Sequence, residues 1–303
     1  MSSTVVLSVS RVEAAALKEE LRRKLPIDAE WRRVDHALFA VKADGVVLVC
    51  YESGKLVLQG KGIDSFRARY LAGIGSEPDP PEPRIAFDGP TIGSDEAGKG
   101  DYFGPLVVAA VFAGLDRAAE LEAMGVSDSK RLSDARMMPM AEHIEREFDV
   151  EIRELDPPAY NARYRADPNV NHLLADLHAE ALVALLARHP EASVVVDRFG
   201  REELVASRLR GRGATPRRLL QVPRAEAHPV VAAASVVARV RFLEGMRRCS
   251  DECGVELHKG AGSPVDAVAR EVFAVGGAGL MSRVAKLHFR NSERVPGFRK
   301  RED

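Results

Sequence analysis

The alternation of apolar and polar positions divides the chain into two blocks with different rhythms. Over residues 1–75 short strand-like runs dominate. Thr4 to Ser8 predicts a strand, and Ser10 predicts a helix cap. The helix runs to about Lys24, with Val12, Ala15, Ala16, Leu17 and Leu21 on its apolar side. Three further strand-like runs follow, Ala37–Ala43, Gly45–Tyr51 and Lys55–Gly60. Tight turns at Ala43-Asp44-Gly45 and Ser53-Gly54 join them, so the spacing predicts a meander of hairpins. Ile63–Ala72 predicts a second helix. This first block reads as a small α+β unit.

From Asp88 onward strands and helices alternate, which predicts an α/β sheet flanked by helices. Thr91 and Ile92 open a strand, and Leu106–Phe112 is a short apolar run bounded by glycines that predicts another. Helices are predicted over Asp116–Met124 and from a Ser133 cap to Phe148, then a strand over Asp149–Leu155. Asn171–His189 predicts an amphipathic helix, Ser193–Asp197 a buried strand and Arg217–Val222 another strand. His228-Pro229 opens a long helix to Cys253, closed by Gly254. A helix from Ser263 ends at Gly276-Gly277, and a last one covers Ala278–Leu287. Between the blocks, Gly75–Pro83 holds four prolines and no apolar side chain, which reads as a semi-extended linker. The domain boundaries are therefore drawn at 1–74, 75–87 and 88–303.

Composition adds limits rather than direction. A chain of 303 residues with 46% hydrophobic and 29% charged residues has ample material for a core in one or two domains. The net charge of -1 does not announce a nucleic-acid binder, although acids gathered in a metal site can mask a basic groove. Cys50, Cys249 and Cys253 are an odd, low count without a signal peptide, which predicts a reducing cytoplasm and no disulfide framework. Cys249 and Cys253, four apart on a helix, read as packing residues rather than zinc ligands. No apolar run approaches the ~18 residues of a membrane span.

The candidate chemistry lies in Gly93-Ser-Asp-Glu-Ala-Gly-Lys-Gly-Asp-Tyr-Phe-Gly-Pro105. Gly93–Lys99 fits the first seven positions of a phosphate-cradling loop, but the eighth is Gly100 where Ser or Thr would be needed for magnesium. Asp95 and Glu96 would also repel a triphosphate. Two carboxylates at a strand end instead suit hard divalent cations, and the glycines beside them admit a nucleic-acid strand. Adjacent strand residues face opposite ways, so the two acids share a site only if the strand ends there and Gly98 and Gly100 turn the backbone. A charged hairpin tip is the bland alternative. Asp197 closes the run Val194-Val195-Val196, where α/β sheets place ligand-binding residues, or it caps a turn before Gly200. Glu226 precedes the helix Val230–Ala238, where an acid is also favoured by the macrodipole alone.

The Gly93–Pro105 run resembles the first motif of type 2 ribonucleases H, and most closely that of ribonuclease HIII. The likeness extends over roughly residues 90–295. It includes the aspartate after a hydrophobic strand, the Ala225-Glu226 dipeptide before Ala232-Ala-Ala-Ser235, and Ser127-Asp-Ser-Lys130 with Leu132. The tail Lys286-Leu-His-Phe-Arg-Asn-Ser292 also resembles a family motif, lining a groove or lying solvated. The resemblance implies a ribonuclease H-like mixed sheet flanked by helices, preceded by a TATA-binding-protein-like domain that grips substrate. It implies a tetrad of Asp95, Glu96, Asp197 and Glu226 as catalytic metal ligands, holding two Mg2+ or Mn2+ ions. Glu226 leans toward ribonuclease HIII, since ribonuclease HII usually has Asp there. Substrate contacts are expected from Gly98, Lys99, Gly100, Ser129 and Lys130. The implied reaction is hydrolysis of the RNA strand of RNA–DNA hybrids, leaving 5′-phosphate and 3′-hydroxyl ends, in a monomeric cytoplasmic protein without a membrane partner. The alternatives are a ribonuclease HII-like enzyme cutting at single ribonucleotides and a non-catalytic hybrid-binding protein. Phe103 is expected to pack, Tyr102 to pack or touch the sugar, and His172, His178 and His228 carry no assigned role.

Overall fold

The computed structural model describes residues 3–9, 11–71, 74, 89–126, 134–201 and 203–298. Ser129, Lys130 and the proline-rich linker lie outside the described residues. The chain divides into two compact units, Met1–Pro83 and Arg84–Asp303.

In the first unit the strands are β1 (Ser3–Ser8), β2 (Glu30–Arg32), β3 (Ala37–Ala43), β4 (Val46–Tyr51) and β5 (Lys55–Gly60). They form one antiparallel sheet in the order β1-β5-β4-β3-β2. Helices α1 (Arg11–Lys24) and α2 (Ile63–Tyr70) bury Leu17, Leu21, Phe66 and Tyr70 with Val41, Leu48, Cys50 and Leu58 of the sheet. The period-two alternation of β4 and β5 puts these apolar residues on one face. Strand β2 was not predicted. Its three residues are all exposed, so it has no apolar alternation to read.

The second unit is built on a mixed sheet of β6 (Thr91–Ala97), β7 (Leu106–Ala113), β8 (Asp149–Leu155), β9 (Ser193–Asp197) and β10 (Leu219–Val222), in the order β10-β9-β6-β7-β8. β6, β9 and β10 run parallel, β7 runs antiparallel to β6, and β8 runs antiparallel to β7. Helix α3 (Leu115–Ala123), α4 (Asp134–Glu147), α8 (Pro229–Cys253) and α9 (Ser263–Val284) share a core with Val107, Ala109 and Val111 of β7. Helix α6 (Val170–Arg188) packs on the other face with Ala110, Ile92, Val194 and Val196. Helices α5 (Pro157–Ala166) and α7 (Glu203–Gly211) lie on that side and were not predicted, although Asp156 caps α5 ahead of two prolines. The helical run of α9 is broken at Gly276 and Gly277, where two predicted helices were separated. A short α10 (Arg290–Glu293) follows.

α6 is long and apolar enough to cross a membrane by length and composition. Leu174, Leu177, Leu182 and Leu185 along it are instead buried in this unit's interior.

Candidate active site

Strand β6 sits at the centre of the second sheet, and its register with β9 places the candidate acids. Ser94 pairs with Val196, so Asp95 and Asp197 stand next to each other just past the last pair of the parallel ladder. The strand does not stop at the acids, as the sequence reading required for a shared site. It runs on to Ala97, with Asp95 opposite Ala109 and Glu96 opposite Val108 on β7. Ladder hydrogen bonding to β7 carries the strand past both residues before the chain turns. Asp95 therefore faces α8 and Glu96 faces α6. No helix follows the Gly93–Lys99 stretch, which rules out a phosphate-cradling loop.

The α8 face holds Asp95 and Asp197, and the turn bonded to Asp197 carries Glu226. Asp95 is bonded by Ser235 of α8, the serine of the Ala-Ala-Ala-Ser stretch, and by the backbone N–H of Glu96 at 2.8 Å. Asp197 follows Val195, so it faces the same side. Its Oδ1 accepts from the N–H of Ala225 at 2.9 Å. That bond ties the strand end to the 3-10 turn Ala225–Ala227, which carries Glu226. Arg224 enters the turn in the left-handed region, at φ 56°. Burial, then the charges of Glu96 and Asp197, push Asp95 up to about 7, with the Ser235 bond opposing them.

β6 reaches α8 closely because Gly93 has no side chain. A Cβ there would lie 2.5 Å from the Val230 and Val231 backbone. The first glycine of the motif thus serves helix–strand packing. His228 caps α8 by accepting from the Val230 N–H at 3.3 Å, and burial pushes it down to about 4, so it is neutral.

The α6 face holds Glu96 with polar side chains. Its Oε2 lies 3.3 Å from His178 Nε2, and its Oε1 lies 3.9 Å from Lys99 Nζ. Lys99 also donates to the Phe199 carbonyl at 3.4 Å. Gly98 makes the turn at φ +90°, with its missing Cβ 2.3 Å from the Pro105 oxygen and 2.9 Å from the Phe242 ring. Gly100 is exposed, with nothing within 4 Å of its Cβ position.

The Asp101–Pro105 turn is held by residues from later in the chain. Gly260 N–H donates to Asp101 at 2.6 Å, and Tyr102 N–H donates to Gly260 at 2.9 Å. Tyr102 is fully buried and bonded to Ser292, and burial pushes it up to about 12, so it packs rather than meeting a sugar. Phe103 is buried too, as expected.

Lys286 corrects the reading of the tail. It neither lines a groove nor lies solvated but is fully buried, donating to the carbonyls of Phe103, Gly104 and Pro105 at 3.2, 2.6 and 3.3 Å. It also faces the Tyr160 ring, 5.8 Å from its centroid. Burial pulls it down to about 7, while three donors meeting three carbonyls are what an ammonium supplies. Nothing in local sequence separates such a lysine from a surface one. His172 bonds Asp167 at 2.8 Å. Lys259 pairs with Asp134 at the surface. Cys249 and Cys253 are buried and free, as packing residues should be.

Among the described residues, no three His, Cys, Asp or Glu side chains close into a ready-made metal cage. The acids nevertheless fit a hard cation. They offer oxygen donors alone, and the charges of Glu96 and Asp197 raise Asp95's hold on its proton, a repulsion that a divalent cation removes.

Residues 92–292 match the family described as Ribonuclease HII. A ribonuclease HIII of Geobacillus sp. (strain WCH70) is 34% identical over 95% of this chain and 97% of its own length. The solved structure of Bst-RNase HIII in complex with Mn2+ is 32% identical, with a TM-score of 0.66, covering 96% of this chain and 97% of that one. The RNase HII in the PCNA:RNase HII complex from Archaeoglobus fulgidus is 30% identical at a TM-score of 0.56. It covers 97% of its own length but 70% of this chain.

Proposed function

The chain belongs to the type 2 ribonuclease H family, in its ribonuclease HIII branch, and we propose on that premise that Asp95, Glu96, Asp197 and Glu226 carry its reaction. It is an endoribonuclease of RNA–DNA hybrids that depends on a divalent cation, Mg2+ or Mn2+. The observation that carries the residue assignment is the β6–β9 register, which sets Asp95 beside Asp197 on the α8 face with the Glu226 turn bonded to Asp197.

Asp95, Asp197 and Glu226 would hold cations from the α8 side, and Glu96 would reach them from the α6 side. Two divalent cations bound there would activate the attacking water, neutralise the scissile phosphate and stabilise the leaving 3′ oxygen. Ser235 keeps Asp95 oriented and favours its carboxylate. On this reading the backbone of Gly98 and Gly100 admits the strand and reads the 2′-hydroxyl, the group that marks RNA. Open space at Gly100 supports that role. Lys99, 3.9 Å from Glu96, exchanges its carboxylate contact for a phosphate on this reading. Ser129 and Lys130 hold further phosphates. No side chain forms a covalent bond to substrate, and the ends left are 5′-phosphate and 3′-hydroxyl.

The first unit grips the duplex and lengthens the footprint. Its support is the face of the five-stranded sheet that no helix among the described residues covers, and the 70% coverage by the ribonuclease HII structure. The protein works as a cytoplasmic monomer. The test is cleavage of two labelled duplexes with Mg2+ and then Mn2+, a continuous RNA–DNA hybrid and a DNA carrying one ribonucleotide. Hybrid cleavage with little cutting at the single site is expected. Efficient cutting at the single ribonucleotide would move substrate preference to the ribonuclease HII type.

A further inference from the structure

α6 buries one histidine directly behind the acids. His178 has no exposed surface. Its Nδ1 lies 2.7 Å from Ser94 Oγ and its Nε2 lies 3.3 Å from Glu96 Oε2. Its ring stacks on Phe199, with centroids 4.9 Å apart and 15° between planes. Ser94 and Glu96 are two apart on β6, so their side chains share the α6 face and one ring spans both.

The hydrogens settle which nitrogen does what. The Glu96 carboxylate only accepts, so Nε2 carries a hydrogen toward its Oε2. Nδ1 then accepts from the Ser94 hydroxyl, which also lies 2.9 Å from the Ala109 carbonyl. That bond sets the ring's rotation and leaves Nε2 as the atom facing Glu96. Phe199, two residues beyond Asp197, closes the ring's flat side, and its carbonyl takes Lys99. Glu96 is thus held at one oxygen by a buried ring, while its other oxygen points toward Lys99.

We propose that His178 is a positioning residue for Glu96, fixing one carboxylate oxygen from behind so that the other is presented to cation, with Ser94 setting the ring. This rests on the carboxylate assignment above. Ligating carboxylates are themselves hydrogen-bonded, and losing such a partner costs 10–100-fold in metal affinity or activity. A histidine that only filled the core would leave metal affinity alone.

The experiment is Mn2+ titration by calorimetry on the full chain, with thermal unfolding in EDTA and in Mn2+. The variants are His178→Phe, His178→Gln, His178→Asn and Glu96→Gln. Phenylalanine keeps the stacking on Phe199 and loses both bonds, so Mn2+ affinity should fall about 10–100-fold and the Tm gain from Mn2+ should shrink. Glutamine, whose amide reaches Glu96, should restore most of the affinity. A folded His178→Phe that binds Mn2+ within two-fold of wild type, while Glu96→Gln binds weakly, overturns the positioning role. Unchanged affinity in Glu96→Gln overturns the carboxylate reading and this proposal with it. Should the phenylalanine variant not fold, His178→Asn takes its place, since its amide keeps a partner for the Ser94 hydroxyl and cannot reach Glu96. Wild-type affinity in that variant overturns the proposal.

Discussion

Asp95 and Glu96 are neighbours in the chain and face opposite sides of one strand, and the two sides are built by different means. On the α8 side the partners are backbone and small residues. Gly93 lets α8 close on the sheet, Ala232, Ala233 and Ala234 are fully buried, and Asp197 is held by a backbone N–H. On the α6 side Glu96 is held by a histidine and a lysine, and the histidine by a serine and a phenylalanine. Backbone packing fixes positions stiffly but tolerates no added atom. Side-chain hydrogen bonds give up their contributions one at a time. Mutations on the α8 side should therefore cost stability abruptly, and those on the α6 side should cost function in graded steps.

The largest effect is expected at the acids themselves. Asp95→Asn and Glu96→Gln should each lower kcat on a hybrid by on the order of 10⁴, as removal of one member of a catalytic unit does. Fluorescence anisotropy should show hybrid binding retained in both. Wild-type protein that binds hybrid and cleaves nothing with either cation would mean a binding protein instead.

Gly93→Ala tests the stiffness of the α8 side. The added methyl meets α8 backbone, so unfolding in urea should show a loss of about 3 kcal/mol, the upper part of the overpacking range. A loss below about 1 kcal/mol would mean that α8 can shift, and the contrast between the faces would weaken.

Lys286→Met probes the turn that leaves this strand. Three buried carbonyls lose their donor, which should cost about 1–3 kcal/mol near neutral pH. The pH dependence has a definite sign. The folded pKa of about 7 lies below the ordinary lysine value of 10.5. Between them the unfolded chain binds more protons, so wild-type stability should rise relative to the variant from pH 7 toward 10.5 and hold level below 7. Urea unfolding of both proteins at pH 6, 8 and 10 measures it, and a falling difference would sink the assignment.

Ser235→Ala is the smaller, graded counterpart on the α8 side. It removes one bond to Asp95 and should reduce the rate about 10-fold with the fold intact. Salt is the mildest lever. Log K for hybrid should fall by roughly 0.9 per neutralised phosphate per decade of salt if B-form behaviour holds, and a flat response would remove the groove of phosphate contacts.

Much of this could be read before any fold was known, because it depends on neighbours in the chain. The alternation in β3, β4 and β5, the apolar run of β9, the extent of α6, the His228-Pro229 opening of α8 and the left-handed Gly254 are local, and each lies close to where the spacing put it. Asp95 and Glu96 stood out within one motif for the same reason, while Asp197 and Glu226 joined them only through the family resemblance. Exposed β2 and the short α7 carry too little apolar signal to register.

What tertiary structure alone decided concerns partners far apart in sequence. Asp95 meets Ser235, Glu96 meets His178, and Lys286 meets carbonyls more than 180 positions away. Their sequence signatures are those of an unremarkable serine, a core histidine and a surface lysine. Periodicity states which side of an element is apolar, since that follows from backbone geometry. Which polar group is left buried among those apolar faces, and what it must then bond, follows only once the sheet order brings the strand ends, α6, α8 and the tail together.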